Sequence, residues 1–177
     1  MENAHVKPGK FVVTHREDSN LESYWQPMPA NGWAEVHLSP EKTGSSAFSM
    51  GIQVVAPGSF IREHWHDKNE EALHVLRGSG TAYIDGEPHP MRPGTTMYLG
   101  PWRKHRFVND GKEPMHVLWV LTPPGLENFF AGIGRPRDVG QPAPEPFERP
   151  QNVAEIERRT VFAGSDGEES KQATVKS

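Results

Sequence analysis

Cysteine is absent from all 177 residues, which removes disulfide staples, thiol nucleophiles and sulfur-ligated zinc. Long apolar runs are absent too. The densest, Val117 to Leu121, falls far short of the roughly 20 residues needed to cross a bilayer. The start, Met1-Glu2-Asn3-Ala4-His5, carries neither the basic cluster nor the apolar stretch of a secretory signal. A cytoplasmic protein without a membrane partner is therefore expected. A cationic surplus is also missing: 19 Lys+Arg stand against 23 Asp+Glu, for a net charge of −4. With the two signs mixed along the chain, binding to nucleic acid by neutralising phosphates is excluded. No Gly-rich phosphate loop and no activated serine is evident, which disfavours nucleotide chemistry and covalent acyl transfer.

Turn-forming residues, by contrast, are plentiful, with 17 glycines and 17 prolines. They disfavour a helical bundle and suit an all-β domain with many corners. Residues 1–44 form an N-terminal arm, broken by Pro27, Pro29, Asn31-Gly32 and Pro40, with one short strand over Ala34 to Leu38. Its Leu21, Tyr24, Trp25 and Trp33 need a surface to bury against, and a homodimer formed through this arm is expected. Residues 45–122 alternate short β-rich runs with Pro57-Gly58, Gly78-Ser79-Gly80, Asp85-Gly86, Pro93-Gly94 and Asn109-Asp110-Gly111. Asp85-Gly86 is a two-residue hairpin signal, since both central positions of a type I′ turn need positive φ. Many short strands at this spacing read as a sandwich or barrel. In residues 123–163, Leu126, Phe129, Phe130 and Ile133 recur at helical spacing. A strap with five prolines follows from Arg135 to Pro150. Asn152 and Glu155 are placed to open a short helix through Arg159 with a capping box. Residues 164–177 are a polar tail.

His64 and His66 are two apart in a strand-like run, so their imidazoles share one face, roughly 6.5 Å apart along it. His-x-His alone is weak evidence, because polar residues on a wet strand face give the same pattern. Glu71 opens the next strand after the polar turn Asp67-Lys68-Asn69, and a hairpin would bring its carboxylate back to the same place. His105 follows another Pro-Gly turn and short strand. Three imidazoles and a carboxylate converging in a small barrel would suit Fe(II), Mn(II), Ni(II), Cu(II) or Zn(II).

At this point the sequence resembles the cupins. Their first motif is matched by Gly58, five residues, His64-Trp65-His66, four residues, Glu71, six residues and Gly78. The second is matched at Gly94, His105 and Asn109, but Gly100 and Trp102 stand where proline and glycine are usual. The departure puts the turn before His105 in doubt and could carry Trp102 over the site entrance. Glu70 competes with Glu71, and the six residues up to Gly78 favour Glu71.

The resemblance implies a jelly-roll (double-stranded β-helix) barrel, commonly dimeric, binding one divalent transition metal through His64, His66, Glu71 and His105. Fe(II) is favoured, with Mn, Ni, Cu or Zn as alternatives. Arg62 and Glu71 are the catalytic candidates. Strand parity counted from His64 puts Arg62 and Phe60 on the metal face, and parity counted from His105 adds Phe107 and Asn109. Arg62 either holds an anionic substrate by a bidentate contact or reaches water at the rim. Tyr83, Tyr98, Trp102 and Trp119 are further pocket candidates, with the core as the alternative for the aromatics. His74, three residues from Glu71, falls on the opposite face.

Among small single-domain cupins with intact ligands, the sequence most resembles quercetin-dioxygenase-like proteins, also in its Pro123-Pro124-Gly125-Leu126-Glu127-Asn128-Phe129-Phe130 segment. A dioxygenase cleaving an oxygen-rich or aromatic small molecule is the leading expectation. A redox-neutral lyase, isomerase or decarboxylase, or a non-enzymatic binding module, is the alternative.

Overall fold

A computed structural model describes residues 9–165. Among the described residues, twelve strands make two antiparallel sheets, accompanied by three short helices. In chain order the strands are β1 (Glu22–Trp25), β2 (Trp33–Leu38), β3 (Ser49–Val55), β4 (Phe60–Trp65), β5 (Glu70–Arg77) and β6 (Gly80–Ile84). There follow β7 (Glu87–Met91), β8 (Thr96–Leu99), β9 (His105–Val108), β10 (Met115–Thr122), β11 (Arg135–Pro136) and β12 (Gly164–Ser165). The helices are α1 (Pro40–Thr43), α2 (Leu126–Ile133) and α3 (Val153–Arg159). The larger sheet runs β11-β1-β2-β3-β10-β5-β8 and the smaller β12-β4-β9-β6-β7. The jelly-roll expectation holds.

Alternation builds the core. Along β10, Met115, Val117, Trp119 and Leu121 are buried while the residues between them are half-buried. Opposite them on β5, Leu73 and Val75 turn inward too. Gly51 lies beneath Trp119, where a Cβ would come 2.6 Å from the indole. Helix α2 closes one end of the core with Leu126, Phe129, Phe130 and Ile133, the stripe its spacing predicts. Asp85 and Gly86 both take positive φ, 50° and 86°, as the hairpin from β6 to β7 requires.

Three expectations change. The arm holds β1 as well as β2, and both extend the larger sheet, so Leu21 and Trp25 are buried within their own chain. The reason given for pairing through this arm therefore disappears. Strand β7 was hidden by Pro88 and Pro90, which an edge strand tolerates because its outer N–H groups have no ladder partner to lose. Helix α3 forms, but Asn152 makes no side-chain cap bond, so the capping box is absent. Most of the polar tail lies outside the described residues, as does His5. No helix among the described residues is long and apolar enough to cross a membrane.

Candidate metal centre

The site is built where the two sheets face each other. Strand β4 carries His64 and delivers His66 just past its end, while β9 starts at His105, the direct cross-strand partner of His64. Glu71 comes from β5 in the opposing sheet. The turn between β4 and β5 is tied down by buried Asn69, whose Nδ2 donates to the Pro123 carbonyl at 2.7 Å. One ligand atom from each of His64, His66, Glu71 and His105 lies within 4.8 Å of all the others, and all four residues are buried. Glu70 points to solvent on the other face of β5, as expected.

Hydrogen bonding fixes the ring tautomers. The Nδ1 atoms of His64, His66 and His105 lie 2.8, 2.7 and 2.8 Å from the carbonyls of Arg62, Val161 and Arg103. A carbonyl only accepts, so each Nδ1 carries the proton and each Nε2 presents a lone pair to the centre. His66 Nε2, His105 Nε2 and Glu71 Oε2 are buried without any hydrogen-bond partner, a costly state for atoms with no further use. His105 Nε2 and His66 Nε2 lie 3.4 and 3.8 Å from Glu71 Oε2. Lone pairs converging on one point fit a divalent cation bound by nitrogen and oxygen donors.

The electrostatics treat the rings differently. Burial, with His105 and His66 nearby, holds the His64 imidazole well below its usual value of 6.5, so it stays neutral. Burial pulls His66 down as well, but the Glu71 carboxylate outweighs it and leaves the ring raised. Burial pushes Glu71 up, yet His105 and His66 hold it far below the usual carboxylate range. A charged carboxylate therefore faces three imidazoles.

A cleft of about 440 Å³, mouth included, opens on His64. Its walls are largely apolar, with Met28, Ile61, Phe129, Ile133 and Phe162 among them. At its border Glu157 Oε1 accepts from Arg62 at 2.7 Å and from Arg149 at 2.6 Å, and Glu157 Oε2 accepts from Ser165 Oγ at 3.0 Å. Arg62 thus borders the cleft, engaged with a carboxylate of its own chain.

Other candidates fall elsewhere. The pairing of β4 with β9 slips between Ile61 and His64, so Arg62 and Glu63 together oppose one residue. Upstream of this bulge the faces are exchanged. Ile61, the partner of Phe107, joins the interior, and Phe60 turns outward beneath the Arg106 guanidinium at 4.6 Å, though it still borders the cleft. Phe107 is buried with its ring 5.5 Å from His105. Asn109 is buried as a structural clasp, its Nδ2 donating to the Val55 and Glu113 carbonyls. Trp119 belongs to the core, with its ring 5.6 Å from Phe130. Tyr83, Tyr98 and Trp102 are 36%, 66% and 65% exposed and line no part of the cleft. Trp102 takes φ 67° at the position where glycine is usual, and its N–H donates to the His66 carbonyl at 2.7 Å. Its backbone is left-handed, a conformation that strains a residue with a Cβ. His74 bonds Thr96 on the outer face.

A barrel of two antiparallel sheets enclosing three histidines and a glutamate defines a class, and the comparisons agree with it. Residues 51–121 match the family model described as the cupin domain. The chain is 30% identical over 142 residues to the glucose-6-phosphate isomerase of Pyrococcus abyssi, covering 67% of this chain and 74% of that one. It is 35% identical over 86 residues to Protein SchB of Streptomyces halstedii, 49% of this chain and 62% of that protein, so it spans less than two thirds of SchB. Among solved structures, the polyketide cyclase RemF from Streptomyces resistomycificus superposes with a TM-score of 0.55 at 21% identity, covering 64% of this chain and 80% of that one. The chain belongs to the cupins.

Proposed function

We propose that this cupin is a metal-dependent dioxygenase acting on an oxygen-bearing, largely apolar or aromatic small molecule. The observation that carries the reading is the cleft: it opens on His64 through apolar and aromatic walls, and its titratable side chains are already committed. Glu157 is held by two guanidiniums and a hydroxyl, and His64 is one of the ligands. No free general base lines the cleft among the described residues, so reactions that depend on shuttling a substrate proton lack their natural agent. His64, His66, Glu71 and His105 would hold the ion. When bound, it would supply Lewis acidity and, if it is Fe(II), access to dioxygen; Mn, Ni, Cu and Zn suit the same donors. The protein's own contribution is to exclude water with Ile61, Phe129 and Phe162, to stack a ring, and to orient the substrate.

The redox-neutral alternative rests on the similarity to the isomerase of P. abyssi. Oxygen uptake separates the two. Fe(II)-loaded protein given aromatic diols, hydroxyketones or flavonol-like compounds is expected to consume O₂ in proportion to product. Turnover without oxygen uptake would move the assignment to an isomerase, lyase or decarboxylase, and no turnover of any kind would favour a binding module. A homodimer is part of the same proposal, but through a different surface. Met50, Ile52, Leu118 and Val120 form adjoining half-buried apolar pairs on the outer face of the larger sheet, suited to a second copy. Light scattering at monomer mass would contradict it.

A further inference from the structure

The three imidazoles are not held alike. His64 and His105 each donate to the carbonyl two residues earlier in their own segment, whereas His66 donates to Val161, 95 residues further along the chain. Val161 begins a short run that docks along the edge of β4. Ala163 N–H donates to the Trp65 carbonyl at 3.0 Å, and Gly164 and Ser165 pair with Trp65 and His64 as β12. Between them the Phe162 ring lies 4.9 Å from the His64 imidazole and 5.2 Å from that of His66. The Glu157 cluster clasps the run from outside, joining Arg62 of β4, Arg149 of the strap and Ser165 of β12 through one carboxylate.

We propose that Val161–Ser165 is a working part of the metal centre, with the Val161 carbonyl as the positioning group for His66. An imidazole with no acceptor at Nδ1 exchanges tautomers and can turn about its side-chain bonds, so Nε2 presents a lone pair to the centre only part of the time. An outer partner that fixes tautomer and orientation typically contributes about 10- to 100-fold in metal affinity. Two of the three partners are local and form with their strands. The third arrives only when the segment after α3 has docked. Metal capture is thereby coupled to closure of the C-terminal segment, and Phe162 covers the imidazoles in the same movement.

The inference rests on the metal reading, and the test separates the two. In the full chain, Ala163→Pro removes the N–H that docks the segment on Trp65, and Glu157→Ala opens the clasp from the other side. The probe is Co(II) alone, with its dissociation constant measured by chelator competition. Imidazole ¹⁵N spectra of the metal-free proteins report each tautomer, which a merely structural role would leave unmoved. The expected result is a loss of about 10- to 100-fold in Co(II) affinity for both variants, with a mixed tautomer at His66 and unchanged ones at His64 and His105. If Ala163→Pro does not fold, Glu157→Ala carries the test. Wild-type Co(II) affinity in the folded variants, or a single unchanged His66 tautomer, would overturn the inference and leave the metal reading intact. Wild-type protein that binds no Co(II) would remove both.

Discussion

Two of the buried carboxylates among the described residues, Glu35 and Glu71, are satisfied in opposite ways. Glu35, on β2, has a fully buried side chain. Its Oε1 faces Arg16 at 3.3 Å and Arg137 at 3.4 Å, and its Oε2 faces His37 at 3.4 Å. The Arg137 guanidinium is itself packed 4.3 Å from the Trp33 ring. Glu71 faces no Arg or Lys among the described residues. Its neighbours are two imidazole nitrogens, and three polar atoms of the cluster are left without partners. A buried charge is therefore not in itself a site. Donor capacity left over after the chain has bonded everything else within reach is what marks one, because leaving it unused would cost stability.

The comparison can be broken most sharply by removing each carboxylate. Glu71→Ala is expected to abolish uptake of a divalent ion while changing the stability of the metal-free protein far less than Glu35→Ala does. The latter should destabilise by about 3–5 kcal/mol, since it leaves Arg137 buried beside no anion, and its metal stoichiometry should be untouched. Denaturant titration with metal analysis of both variants reads the contrast. Identical effects of the two substitutions would erase the distinction. Ligand addition sharpens it next. An ion at about 100 times its dissociation constant should raise the stability of the wild type by about 2.7 kcal/mol, and that of Glu71→Ala not at all.

Acid offers a third test. Burial pushes the Glu35 carboxyl up, but His37, Arg16 and Arg137 outweigh it and hold it below its usual value of 4.5. A depressed carboxylate stabilises the fold fully above the unfolded value and loses that contribution as pH falls through the folded one. Stability should thus decline below about pH 4.5, and Glu35→Gln should flatten the slope in this window. A slope unchanged by that substitution would assign the acid sensitivity elsewhere. Smaller still, Trp102→Gly should stabilise by up to about 1 kcal/mol in thermal unfolding, since it relieves the positive φ of an exposed residue. Tyr98→Ser, on the solvent face, should stay within about 0.5 kcal/mol and leave metal binding as it was.

The metal ligands were legible in the sequence through spacings that match the two cupin motifs. Two-residue alternation puts His64 and His66 together, and turn spacing returns Glu71 and His105 to them. The barrel was legible in its turn residues and alternating strands. What escaped depends on contacts that spacing does not encode. The bulge at Arg62 and Glu63 exchanges the faces of Phe60 and Ile61, and no residue there announces it. Parity alone placed neither Tyr83 nor Tyr98, which turn to solvent. The apolar residues of the arm suggested a partner chain, yet β1 and β2 bury Leu21 and Trp25 against their own sheet. The contribution of Val161 and Phe162 was the least visible, since a main-chain carbonyl has no sequence signature. The one hint was an apolar pair interrupting an otherwise polar stretch after Arg159.

The central claim is that His64, His66, Glu71 and His105 converge to hold one ion. Elemental analysis of the wild-type protein and of His105→Ala, each loaded with a divalent transition metal and then desalted, tests it most directly. The account predicts one ion per wild-type chain and none in a His105→Ala variant that keeps its β-rich circular dichroism. An empty wild-type protein, or equal metal content in the two, would contradict it.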